Sequence, residues 1–73
     1  MSGLSIMEAM LASTGYHLED LRHHAKHDAR LVTLRKRVIH ALGAAGYSSV
    51  VIGELMNRDH TTVLHTLHRP IPR

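Results

Sequence analysis

The sequence contains no cysteine, tryptophan or phenylalanine, and two tyrosines are its only residues of the Phe, Tyr and Trp class. Without cysteine, neither a disulfide nor a thiolate metal site can support the fold. Two tyrosines are too few to form the stacking platforms that bind unpaired bases, which disfavours single-stranded nucleic acid. No apolar run approaches the roughly 20 residues that span a bilayer, and the N-terminal segment lacks the basic start of a signal peptide. We therefore expect a cytoplasmic protein with no membrane partner.

Length and charge narrow the classes of function further. A chain of 73 residues is expected to form a single domain, 1–73, with little room for a deep pocket. No Gly-rich phosphate loop, nucleophile elbow or carboxylate pair is visible, so neither a nucleotide site nor enzymatic activity is expected. Nine Lys and Arg residues against six Asp and Glu give a formal net charge of +3, before eight histidines are counted. This excess favours a polyanionic partner.

The spacing of apolar residues predicts an all-α fold, a small bundle of about five helices containing a helix-turn-helix. Apolar side chains recur every three or four residues, and glycine and proline lie between these segments. In the first segment, Ser5 and Glu8 have the spacing of a capping box. The second is short, around residues 18–21, and the third and longest has Asp28 as its predicted N-cap and Gly46 as its end.

The third predicted helix is apolar on one side and basic on the other. Its inward positions are aliphatic: Leu31, Leu34, Val38, Ala41, Leu42 and Ala45. Its outward positions carry Arg30, Lys36 and Arg37, with Arg35 at the flank. Charged outer faces are common on surface helices, so this face alone does not identify a nucleic-acid contact.

Two short segments near the C-terminus predict the helix-turn-helix unit. The first begins at Ser48 or Ser49 and ends near Met56, and the second is capped by Asp59. Gly53 lies within the first of these helices, where the absence of a side chain allows the two helices to approach closely.

The last predicted helix has a polar outer face. Its inward positions are Val63, Leu64 and Leu67. In a helix-turn-helix the second helix presents its first turn to base edges in the major groove. Here the outward positions of that turn are His60, Thr61 and Thr62, with His65 one turn later and Asp59 at the start. Together they offer the donors, acceptors and methyl groups that base edges match, which predicts double-stranded DNA as the partner.

The same residues resemble a known family. Ile52 and Gly53, followed at the expected interval by residues 57–65 (NRDHTTVLH), are similar to the signature of the C-terminal DNA-binding domain, domain IV, of the bacterial replication initiator DnaA. A weaker likeness upstream extends over nearly the whole chain. The resemblance implies a Trp-repressor-like helix-turn-helix that binds DnaA-box-like sites in a bacterial or phage setting, associated with the nucleoid. Without an ATPase domain, such a protein would regulate replication or transcription.

The resemblance also implies residue roles. The residues that would contact bases are Asp59, His60 and Thr61, with Ser49 and Val50 where many family members have Leu-Pro. The residues that would contact the DNA backbone or minor groove are Arg35, Lys36, Arg58, Thr62 and His65. The change at positions 49 and 50 implies a preferred site related to the DnaA box but distinct from it. The loop at 43–48 is also shorter than is usual in the family.

The histidines raise the question of a metal site. His23 and His27, and likewise His65 and His68, are spaced about one helical turn apart. A structural zinc site requires four ligands, and these pairs lie on different segments without a cysteine or a suitably placed carboxylate. We expect no metal and no other cofactor.

A different class of function remains as an alternative: a small interaction protein that binds a replication or transcription protein through the same scaffold. A protein-binding surface would carry larger apolar or aromatic anchors where residues 60–62 are polar. A homodimer is also an open possibility, since Met7, Met10 and Leu11 exceed what so small a core is expected to absorb.

Overall fold

Helices account for all regular secondary structure in the described part of the chain, residues 2–23 and 28–71 of a computed structural model. Their bounds are Gly3–Leu11 (α1), Leu18–Arg22 (α2), Ala29–Ala44 (α3), Ser49–Met56 (α4) and His60–Leu67 (α5). These residues contain no strand, and the prediction of an all-α bundle of about five helices is confirmed. None of the described helices combines the length and apolarity needed to cross a bilayer.

Side-chain caps begin α3, α4 and α5. Asp28 accepts a hydrogen bond from a backbone N–H in the first turn of α3 at 2.9 Å, and Ser48 does so for α4 at 3.3 Å. Asp59 caps α5 in the same way at 2.8 Å. All three residues have extended backbone, as N-caps do. The predicted caps of α3 and α5 are confirmed, and of the two serines considered for α4 the first is the cap.

The start of α1 differs from the prediction. Ser2 is its N-cap, and the Ser2 hydroxyl oxygen accepts from the Ser5 N–H at 3.1 Å. The predicted capping box of Ser5 and Glu8 is therefore wrong by one turn. The extra turn is stabilised by tertiary packing, because Gly3 is buried against the side chain of Leu55 from α4.

The apolar core draws on all five helices. Its buried members are Met7, Leu11, Leu21, Leu31, Val38, Ile39, Leu42, Ile52, Met56 and Val63. Met7 and Leu11 of α1 lie in this core, and Met10 is partly buried against it. The apolar surplus that suggested a homodimer is thus largely absorbed within the fold, and that argument for a dimer is lost.

Two positions predicted to face inward are exposed. Leu64 leaves 38% of its surface accessible, and Ala45 is exposed after the end of α3. On α5, Val63 is fully buried and points into the core. Successive helical residues are about 100° apart, so the residue that follows Val63 is carried to the edge of the buried stripe.

Candidate nucleic-acid interface

A three-residue turn, 57–59, joins α4 to α5. Asn57 adopts the left-handed conformation with φ of 53°, which ends α4. The Arg58 N–H then donates to the Gly53 carbonyl at 2.8 Å. At Gly53 a Cβ atom would lie 2.6 Å from the Arg58 carbonyl oxygen, so only glycine allows the turn to pack this closely. The close approach predicted at Gly53 is confirmed.

The first turn of α5 presents polar side chains to solvent. The side chains of Asp59 and His60 are 69% and 58% exposed. Thr61, Thr62 and His65 are also exposed. An α-helix with its side chains is about 10–12 Å across, which fits the roughly 12 Å width of a major groove. The residues predicted to read bases or touch phosphates from α5 are therefore all accessible.

Asp59 is held in a fixed orientation by its cap. Hydrogen bonds from the backbone N–H and the hydroxyl of Thr61 hold the pKa of the Asp59 carboxyl below its usual range. The Nδ1 atom of His60 lies 3.6 Å from Asp59 Oδ1. Asp59 is thus an ionised acceptor at the tip of the helix, suited to accept a hydrogen bond from an amino group on a base edge.

A shallow cleft lies between α4 and the start of α5. Its lining residues are Val50, Gly53, Glu54, Asn57, Arg58, Asp59 and His60. Val50 is 53% exposed and shares this cleft with Asp59 and His60, whereas Ser49 is only partly exposed. Of the two α4 residues that the resemblance assigns to bases, Val50 is the more accessible. Glu54 adds a second carboxylate to this cleft, and the sequence pattern did not single it out.

A basic groove of about 610 Å³ runs between α3 and α5. Its lining residues are Lys36, His40, Thr62, His65, Thr66, Arg69 and Pro70. The structure thus brings Lys36, Thr62 and His65 together, as their predicted contact with the DNA backbone requires. Sequence reasoning missed His40 and Arg69. The available signal was spacing, since His40 follows Lys36 and Arg69 follows His65 at the four-residue interval of neighbours on a helix face.

Arg35 does not join this groove as an exposed cation. Its side chain is buried, with 7% exposure, and its guanidinium lies at the carboxyl end of α2. Arg35 Nε donates to the Leu21 carbonyl at 3.0 Å, and Nη2 donates to the carbonyls of Asp20 at 2.6 Å and His23 at 2.7 Å. The predicted contact of Arg35 with DNA is therefore incompatible with its position. Lys36, the other residue of that predicted pair, is exposed.

Arg58 is partly exposed, but its guanidinium contacts backbone carbonyls. Its Nη1 atom donates to the carbonyls of Asn57 at 3.1 Å and of Arg22 and Met56 at 3.3 Å, and Nη2 donates to that of His23 at 3.2 Å. Burial, followed by the nearby positive charge of Arg35, lowers the pKa of Arg58. The side chain predicted to contact phosphates is thus engaged with backbone carbonyls.

Comparison of the chain with protein-family models, with characterised proteins and with solved structures finds no match. The resemblance to DnaA domain IV therefore depends on the motif residues themselves. Within residues 2–23 and 28–71, no three side chains of the His, Cys, Asp and Glu class are grouped as a metal ion would require. Of the two histidine pairs considered as metal ligands, one includes His27, which lies outside the described residues.

Proposed function

We propose that this protein binds double-stranded DNA in a sequence-specific manner, with α5 in the major groove. The observation that carries the proposal is the exposed polar first turn of α5, Asp59 to Thr61, beside a groove that contains Lys36 and Arg69. Base edges require such donors and acceptors, whereas phosphates require cations next to them. The exposed residues of α5 and the groove between α3 and α5 offer both.

The proposed role is regulation of replication or transcription by occupation of DnaA-box-like sites. The protein would be encoded by a bacterium or a phage and associated with the bacterial nucleoid. Binding alone excludes competing proteins from a site, so no catalytic group is needed for this role. Exposed Val50 in the cleft beside His60 is suited to apolar contact with a thymine methyl group. A differing contact there supports a preferred sequence related to the DnaA box and distinct from it.

Fluorescence anisotropy tests the proposal directly. Affinity is measured across a salt series for a duplex with a DnaA box, a scrambled duplex and one strand alone. We expect tighter binding to the box duplex at physiological salt and weak binding to the single strand. Equal binding to both duplexes would mean that the DnaA box is not the preferred site, and selection from random sequences would then be used to find it. Absence of binding to every duplex would overturn the proposal.

Substitutions in the two parts of the interface are expected to have different effects. Thr61→Ala and His60→Ala should each lower affinity for the preferred duplex by roughly tenfold, while binding to a scrambled duplex changes little. Lys36→Ala should weaken binding to both duplexes alike and reduce the slope of log K against log salt by about 0.9. Anisotropy titrations of the three variants across salt provide the measurement. Identical behaviour of all three would contradict this division of roles.

The second candidate function is binding of a replication or transcription protein through the same scaffold. It is favoured by the exposed apolar side chains of Val50, Val51 and Leu64, which are 53%, 39% and 38% accessible. Exposed apolar residues on neighbouring helices are suited to protein contacts. If no duplex binds, Val51→Asp and Leu64→Asp become the variants to compare in binding to candidate replication proteins.

A further inference from the structure

Two arginines from different parts of the chain meet at the carboxyl end of α2. Arg35 donates to the carbonyls of Asp20, Leu21 and His23, and Arg58 donates to those of Arg22 and His23. Between them they occupy the four successive backbone carbonyls of residues 20–23. The last carbonyls of a helix have no partner within the helix, so these side chains supply the missing donors.

The arginines are held there by backbone dipoles. A helix of five residues is too short to be stable by itself, and a cation is favoured at its carboxyl end. The two guanidinium groups are close enough that the charge of Arg35 lowers the pKa of Arg58. The carbonyl contacts therefore hold Arg58 in place despite repulsion between the two side chains.

The Arg58 guanidinium also connects α2 to the end of α4. It donates to the carbonyls of Met56, the last residue of α4, and of Asn57, the first residue of the turn. A second bond supports this connection, because Asn57 Nδ2 donates to the Arg22 carbonyl at 3.2 Å. The turn of the helix-turn-helix is thus attached to α2 by two neighbouring side chains.

We infer that Arg58 is a positioning residue, which sets the placement of α5 relative to α3 by fixing the turn on the carboxyl end of α2. The inference rests on the proposed function and differs from the phosphate contact that the resemblance implies for Arg58. Base readout by Asp59, His60 and Thr61 requires that α5 and Lys36 meet one duplex at the same time. Arg58 directly precedes Asp59, so its contacts with α2 fix the start of α5 in the place that this requires.

A phosphate-contacting role for Arg58 predicts different effects of substitution from a positioning role. The position of Arg58 is compatible with both, so the two roles must be compared by experiment. Arg58 lines a pocket of about 170 Å³ between α3 and α5, beside Lys36 and Thr62. A DNA phosphate at this pocket would be near all three side chains. A phosphate ligand contributes mainly charge, which lysine can replace, whereas a guanidinium that bridges carbonyls of two helices cannot be replaced by a single ammonium group.

The experiment compares Arg58→Gln and Arg58→Lys with the matched control Lys36→Gln, which removes an exposed cation beside the same groove. Anisotropy is measured across salt for the best duplex found for the unaltered protein and for a scrambled duplex. Amide hydrogen exchange is measured for each free protein without DNA, because exchange reports local loosening of α4 and α5.

We expect both Arg58 variants to lose roughly tenfold in the ratio of preferred to scrambled binding, with the salt slope on the scrambled duplex unchanged. Both should exchange amides in the first turn of α5 faster than the unaltered protein. Lys36→Gln should instead reduce the salt slope by about 0.9 and leave amide exchange unchanged. If Arg58→Gln reduces the slope by a similar amount, Arg58→Lys restores it, and neither alters exchange, Arg58 is a phosphate ligand and the inference is overturned.

The design separates this inference from the proposed function. If the unaltered protein binds no duplex, the proposed function fails, and with it the consequence for base readout. Hydrogen exchange then still decides whether Arg58 fixes the turn: faster exchange in α5 of both variants supports that attachment, and unchanged exchange refutes it. If Arg58→Gln does not fold, Arg58→Lys provides the same comparison with the charge retained.

Discussion

Replacement of Arg35 by methionine is expected to destabilise the fold by about 3–5 kcal/mol, because each buried carbonyl that loses its donor costs about 1–3 kcal/mol. Methionine retains the apolar stem of the arginine but donates no hydrogen bond. The carbonyls of Asp20 and Leu21 would then lose their hydrogen bonds from Arg35, and the His23 carbonyl would keep its bond from Arg58. A domain of this length has a total stability of roughly 4–11 kcal/mol, so the variant should be close to unfolding. Urea denaturation followed by circular dichroism gives the measurement.

Lys36→Met is the control for this prediction. It makes the same type of change at the next position of α3, but Lys36 is exposed and should alter the stability by no more than about 0.5 kcal/mol. The DNA-binding phenotypes should be reversed: Lys36→Met weakens binding with its fold intact, and Arg35→Met loses binding through unfolding. A stable Arg35→Met variant with a reduced salt slope would instead return Arg35 to the minor-groove role.

The helix starts show what local chemistry can and cannot predict. Asp28 and Asp59 were recognisable as caps because each is a good N-cap residue directly before an apolar stripe. At α1, Ser2 and Ser5 have equivalent local chemistry, and the outcome depends on the packing of Gly3 against Leu55, more than fifty positions away. Sequence patterns around either serine contain no information about that contact.

Arg35 was misplaced because its charge was given more weight than its spacing. It lies four residues after Leu31 and three before Val38, so a helical stripe that contains both of these must include it. The spacing therefore predicts burial correctly. Its partners are carbonyls at the end of α2, and no feature of α3 indicates that such acceptors lie opposite. Charged residues at core spacing should be tested against the orphan carbonyls of neighbouring helices.

The candidate interface also has one part that local sequence predicts and one part that depends on tertiary packing. The polar first turn of α5 was predictable, since its residues belong to one short segment with a recognisable cap. The groove beside it forms only when α3 packs on α5, which brings His40 next to His65 and Arg69. Arg58 shows the reverse case, in which a residue of the motif is drawn into packing contacts with α2. A motif therefore indicates which residues are close together, and the surrounding helices decide which of them face the ligand.

Gly53→Ala is expected to destabilise the fold by about 2 kcal/mol and to lower the melting temperature by about 10 °C. The new Cβ would lie 2.6 Å from the Arg58 carbonyl oxygen in the turn and 3.4 Å from the His60 backbone nitrogen at the start of α5. Relief of these contacts requires a shift of the turn and of α5 with it. Preference for the specific duplex should therefore fall together with stability, although alanine favours a helix by up to about 1 kcal/mol over glycine.

Gly43→Ala isolates the effect of that backbone contact. Its new Cβ would lie 2.8 Å from Leu67 Cδ2, the far end of a flexible side chain that can rotate away. Both glycines are within helices, so both substitutions gain the same helix propensity. We expect Gly43→Ala to leave the melting temperature unchanged or raised and DNA preference intact. Equal melting temperatures for the two variants would mean that the turn adjusts freely, and α5 would then not be held rigidly against α4 for base readout.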